Sequence, residues 1–99
     1  MKIPEKLRIL GVDVPTIYEV VLMDESGTLR DGEVDYIRHE IRLRRGMVPA
    51  VELDTYIHEL LHYICNTLVI NLKEKDACRL GRAFAAILID NGLLKEEGR

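Results

Sequence analysis

Two histidines four residues apart, with a glutamate beside the first, make His58-Glu59-Leu60-Leu61-His62 the segment of this chain best equipped for chemistry. On an α-helix, residues four apart share a face, so both imidazoles can aim at one metal ion. Glu59 lies about 100° round the helix from His58. From there it can reach a water at the ion and act as a general base. The pattern is H-E-x-x-H, and it has this meaning only on a helix. Two helical histidines are often ordinary half-buried residues, so the surrounding sequence decides.

That sequence reads as a helix. From Leu53 to Leu68 the large apolar residues are Leu53, Ile57, Leu60, Leu61, Ile64 and Leu68, a stripe with a period of about 3.6 residues. His58 and His62 fall beside the stripe with Asp54, Thr55 and Cys65. Tyr56, Tyr63 and Thr67 are expected on the far side. Pro49 suits the first turn, where its missing N–H would be unpaired anyway. The helix is expected to bury its leucines and turn its histidines toward a cleft edge.

Zinc, the ion this motif would hold, needs a third protein ligand, with water completing a catalytic site. The best candidate is Glu74. Ile70-Asn71-Leu72-Lys73 reads as a turn, and a second helical pattern follows with apolar positions Ala77, Leu80, Phe84, Ile87 and Leu88. It stops at Asn91-Gly92. Glu74 sits in its first turn, where a carboxylate is also favoured by the helix dipole alone. In a strict helical hairpin, however, Cys78 or Leu80 would stand level with His62, so Cys78 and Asp76 remain alternative ligands. His39, near an expected turn, reads as an exposed histidine. Cys65 reads as a small packing residue beneath the site.

The rest of the chain sets bounds. Ninety-nine residues make one small domain, 1–99, and hydrophobic residues make up 47% of it, enough for a core. A net charge of −3 argues against broad nucleic-acid binding. There is no membrane-spanning apolar run and no signal peptide, and two cysteines imply no disulfide framework. A cytoplasmic, reduced protein is the expectation. The last residues, Lys95 to Arg99, look frayed.

The first half is β-rich. Leu7–Val12 alternates like a strand, and Thr16–Leu22 is rich in β-branched and aromatic residues. Asp24-Glu25-Ser26-Gly27 and Asp31-Gly32 are turn signals, and Gly32–Tyr36 can pair with Glu40–Arg44 as a hairpin. The fold class is α+β: a small antiparallel sheet of three to four strands, then two helices. Arg38, Arg42, Arg44 and Arg45 form the basic cluster. With Ile41 and Leu43 facing in, Arg42 and Arg44 face out, as on a solvated strand that resists aggregation.

This order of strands, H-E-x-x-H helix, turn and glutamate helix resembles the gluzincin metallopeptidases. It looks closest to the minigluzincins and to small phage- or prophage-type HExxH proteins, and it is similar to the core of ImmA/IrrE-type metallopeptidases. The resemblance runs from about Gly32 to Asn91. It is carried by Gly32–Tyr36, Ile41-Arg42-Leu43, the motif itself and Glu74–Gly81. Glu74, Ala77, Leu80 and Gly81 match the third-ligand helix of ImmA/IrrE proteins, which ranks Glu74 above Cys78. The resemblance implies a zincin-like fold and zinc held by His58, His62 and Glu74. It implies hydrolysis of a peptide or protein substrate with Glu59 as base, the substrate lying along Gly32–Tyr36. Tyr36, Tyr18 and Tyr63 are the candidates for stabilising the oxyanion. The alternative is a non-catalytic zinc-bearing module that binds a protein partner in phage or mobile-element regulation.

Overall fold

A computed structural model describes residues 2–93; the expectation for Lys95 to Arg99 lies outside them. Four strands precede two helices: β1 Lys6–Ile9, β2 Val12–Glu19, β3 Gly32–Asp35, β4 Glu40–Arg44, α1 Pro49–Thr67 and α2 Glu74–Asp90. The class is α+β, as expected. The first strand ends sooner than its alternation suggests. Ile9 pairs with Val12 across a two-residue turn in which Leu10 and Gly11 take φ of 49° and 85°. Positive φ at both positions gives the twist that a tight hairpin needs.

The sheet is mixed, where an antiparallel one was expected. Its order is β1-β2-β4-β3, and β2 runs parallel to β4. The reason lies in the long connection from Val20 to Asp31. It carries the chain past the slot beside β2 and leaves that slot for β4, which then pairs antiparallel with β3 at the edge. β4 is central, and Ile41 and Leu43 are fully buried on its inner face. Arg42 on the outer face contacts Glu40, Asp35 and Glu33 at 2.7, 3.0 and 3.4 Å, and Arg44 pairs with Asp31 at 3.0 Å. These two arginines are therefore matched by carboxylates on their own strand face.

Helix α1 is packed against the sheet on one side and α2 on the other. This corrects the expected orientation of two residues. Tyr56 and Tyr63 are buried against the sheet, because a helix between two layers has no solvent side there. The Tyr63 hydroxyl lies 2.8 Å from Nδ1 of His39, an exposed turn histidine as expected. The buried face of α2 also differs from expectation. Ala77 and the half-buried Leu88 face inward as expected, joined by Gly81 and Ala85, while Leu80, Phe84 and Ile87 remain 42%, 45% and 51% exposed. The seam is too close for large residues. A Cβ on Gly81 would sit 3.2 Å from the backbone nitrogen of His58 and 3.3 Å from the carbonyl oxygen of Asp54.

The end of α1 is a Schellman motif. The N–H of Ile70 donates to the Cys65 carbonyl at 2.7 Å, and that of Val69 to the Asn66 carbonyl at 3.3 Å. Val69 occupies the left-handed position at φ 57°, where glycine is usual and a β-branched residue is strained. Val69→Gly should therefore stabilise the protein by about 0.5–1 kcal/mol, the relieved strain less the added freedom of the unfolded chain. A rise in thermal midpoint checks this; a fall would mean that the valine side chain is needed for packing.

Candidate metal centre

His58 and His62 stand one turn apart on α1, with ring centroids 4.7 Å apart and their Nε2 atoms 3.2 Å apart. Glu74 opens α2 directly opposite. Its Oε1 lies 2.8 Å from Nε2 of His58 and its Oε2 lies 2.8 Å from Nε2 of His62. The structure therefore brings His58, His62 and Glu74 together. One ligand atom from each falls within 4.8 Å of the others, and this is the metal-capable group found among the described residues. Cys78 and Asp76 are not part of it.

The connection between the helices resolves the problem of level. After the Schellman turn, Ile70–Lys73 has no helix or strand, and each such residue can span about twice the rise of a helical one. That short run returns the chain far enough for the first residue of α2 to stand level with the motif. Lys73, extended at φ −78° and ψ 146°, caps α2 without a side-chain bond.

Glu59 lies under the edge strand β3, lines the same cleft as His58, and is 8% exposed. Burial is the chief reason its carboxyl is pushed up to about 7, and the charge of Glu74 adds to it; Arg30 opposes. The wall over it is Gly32, the first residue of β3. A Cβ there would meet Thr55 Cγ2 at 2.7 Å, Glu59 Cγ at 3.1 Å and Glu59 Oε2 at 3.3 Å. The sequence marks Gly32 only as a turn signal, yet its lack of a side chain is what lets the edge strand cross over the buried carboxylate.

Two hollows flank the three donors. A cleft of about 390 Å³ opens beside His58 and Glu59, with Arg30, Asp54, Cys78 and Arg82 on its walls. A smaller hollow of about 190 Å³ lies beside His62, lined also by Tyr36, Cys65 and Asn66. Of the three tyrosines considered from sequence, Tyr36 is the one at this site. Burial raises its phenol pKa, and the carboxylates of Glu59 and Glu74 add to the rise. Tyr18 instead donates to Glu52 at 2.9 Å and is pushed up to about 12, chiefly by burial. Tyr63 is engaged with His39. Cys65 is half-buried and Cys78 exposed, and both are free thiols. Cys65 lines the hollow beside His62.

The contact over Glu59 has a direct test. Gly32→Ala should cost about 1–3 kcal/mol, because the new methyl group overlaps a β-branched neighbour. Adding Thr55→Ser, which removes the methyl at 2.7 Å, should recover most of the loss. Equal stability of wild type and Gly32→Ala in denaturant titrations would contradict the close approach.

No protein-family model, curated protein or solved structure matches this chain. The site is identified by its own geometry: two imidazole nitrogens and one carboxylate converging from two helices, with a buried carboxyl beside them.

Proposed function

We propose that the protein is a zinc-dependent metallopeptidase of the gluzincin type. The observation that carries this reading is the convergence of His58, His62 and Glu74 beside a buried Glu59. The donor set suits zinc. Ligands about 2.0–2.1 Å from a tetrahedral ion stand about 3.3 Å from one another. Here the imidazole nitrogens stand 3.2 Å apart, each has one of the two Glu74 oxygens at 2.8 Å, and one donor atom from each residue lies within 4.8 Å of the others. Three protein ligands leave a position open, which is the pattern of a catalytic site.

When bound, zinc supplies Lewis acidity, which acidifies water and polarises a carbonyl. The chain's own residues do the rest. An extended peptide lies along the free edge of β3, where main-chain hydrogen bonds hold it across the two hollows. Glu59 takes a proton from the attacking water and passes it to the leaving amine. Its burial suits this, since a carboxyl with a pKa near the working pH both accepts and returns a proton readily. Tyr36, on the rim beside His62, donates its hydroxyl to the carbonyl oxygen as negative charge builds there.

Purified protein should hold about one zinc per chain, and His58→Ala or His62→Ala should lose it. Glu74→Ala should weaken zinc by more than about tenfold and Cys78→Ala by far less. Full occupancy in both histidine variants would end the metal assignment, and the reverse order for Glu74 and Cys78 would reassign the third ligand.

Glu59 is not one of the three donors, so Glu59→Gln should keep zinc while peptide hydrolysis falls by about 10²–10⁴-fold. Tyr36→Phe should lower kcat by about tenfold or more with zinc retained. Turnover of a broad peptide library by wild type and both variants checks this. Unchanged hydrolysis in Glu59→Gln, or no cleavage by zinc-loaded wild type, would remove the enzyme reading and favour a zinc-bearing interaction module.

A further inference from the structure

Helix α2 carries its side chains in reverse order. Its small residues, Ala77, Gly81 and Ala85, are buried together with the half-buried Leu88, while Leu80, Phe84 and Ile87 are exposed, as is Ile89 on the opposite side. A surface helix ordinarily does the opposite. At about 100° per residue, Leu80 and Ile87 lie roughly 40° and 60° to one side of Phe84, so the three form one stripe. Cys78 and Arg82, which line the cleft beside Glu59, each stand two residues from Leu80 and so roughly 160° round from it. The stripe and the cleft are on opposite sides of α2.

The charges beside the stripe indicate what covers it. Arg79 and Asp90 are eleven residues apart and fall within about 20° of each other round the helix, on the same flank of the stripe. Both are exposed, and neither has an ion pair among the described residues. When a helix packs antiparallel on its own copy about a twofold axis, each flank meets itself and the two ends exchange places. Arg79 of one copy then faces Asp90 of the other, twice. The pair Arg79 and Asp90 and the pair Leu80 and Ile87 are both centred within one residue of Phe84. The apolar stripe and the charged flank therefore share one twofold centre.

We propose that the protein forms a homodimer through α2, with the two copies of this helix antiparallel, Phe84 at the axis and Arg79 against Asp90 at each end. The cleft beside Glu59 stays open in such a dimer, since it lies on the far side of the helix. A contact made by one helix face buries less than the standard of about 800 Å² per partner, so the dimer is weak, dissociating in the micromolar range.

Sedimentation equilibrium of the full chain from about 1 µM to about 1 mM tests this, with circular dichroism of each variant to verify folding. Wild type should pass from one chain to two across that range. Phe84→Glu should remain monomeric. Arg79→Asp and Asp90→Arg should each raise the dissociation constant by about tenfold, because each places like charges at both ends, and the double exchange should restore it. The exchange needs no change in the apolar stripe, so it tests the pairing even if Phe84→Glu fails to fold. A mass of one chain at every concentration would overturn the proposal. So would a dimer indifferent to the single charge reversals, which would place the interface elsewhere.

Discussion

Both imidazoles and the buried carboxyl sit on α1, and α1 is held by two close backbone approaches. On the sheet side, β3 passes over the helix at Gly32, where even a Cβ would come within 2.7 Å of Thr55. On the other side, α2 meets it at Gly81, where a Cβ would lie 3.2 Å from the His58 backbone. Gly32 lies against Glu59, and Gly81 against His58. The helix is thus clamped between two layers at the level of the site. Close-packed interiors transmit strain, so such contacts fix side-chain positions to fractions of an ångström. The placement of the two imidazoles follows from them.

The third donor depends on a different constraint. Glu74 is the first residue of its helix and reaches back twelve residues to His62. That requires α1 to stop sharply and the chain to reverse at once. The Schellman turn does this, with Val69 in a conformation that glycine would adopt more easily. Local strain of this kind persists where surrounding structure dictates the path, and it is common near functional sites. Here the strained residue lies between the last turn of the motif helix and the carboxylate that completes the group.

Much of this was legible in the sequence, and the reason is periodicity. Helix α1 carries its motif on a regular apolar repeat, and Pro49, Asn91 and Gly92 mark ends that the structure places as expected. Ile41 and Leu43 alternate with Arg42 and Arg44, which fixes the inner face of β4. What depended on neighbours was not legible. The parallel pairing of β2 with β4 follows from where a twelve-residue connection leaves the chain, and no residue type within the strands encodes it. On α2 the apolar pattern was visible but misleading. It includes Ala77 and Leu88, which do pack inward, but also Leu80, Phe84 and Ile87, which stay exposed, and it misses Gly81 and Ala85, whose smallness carries little periodic signal. Tyr56 and Tyr63 are hidden for a related reason: a single apolar stripe does not reveal the second layer that covers α1.

Glu59 is the place where folding and chemistry oppose each other. A carboxyl buried under the edge strand, its charge raised in energy by Glu74 and only partly offset by Arg30, adds nothing to stability that an apolar residue could not supply. The surrounding structure is nevertheless shaped around it, down to a glycine where the strand crosses. Local rules of stability are usually broken at sites that serve something other than stability. The surroundings also separate the two carboxylates beside the histidines: Glu74 is exposed and meets both imidazoles, while Glu59 is enclosed beneath β3. Two carboxylates thus stand by one pair of imidazoles in very different surroundings, and burial raises the pKa of the enclosed one, Glu59.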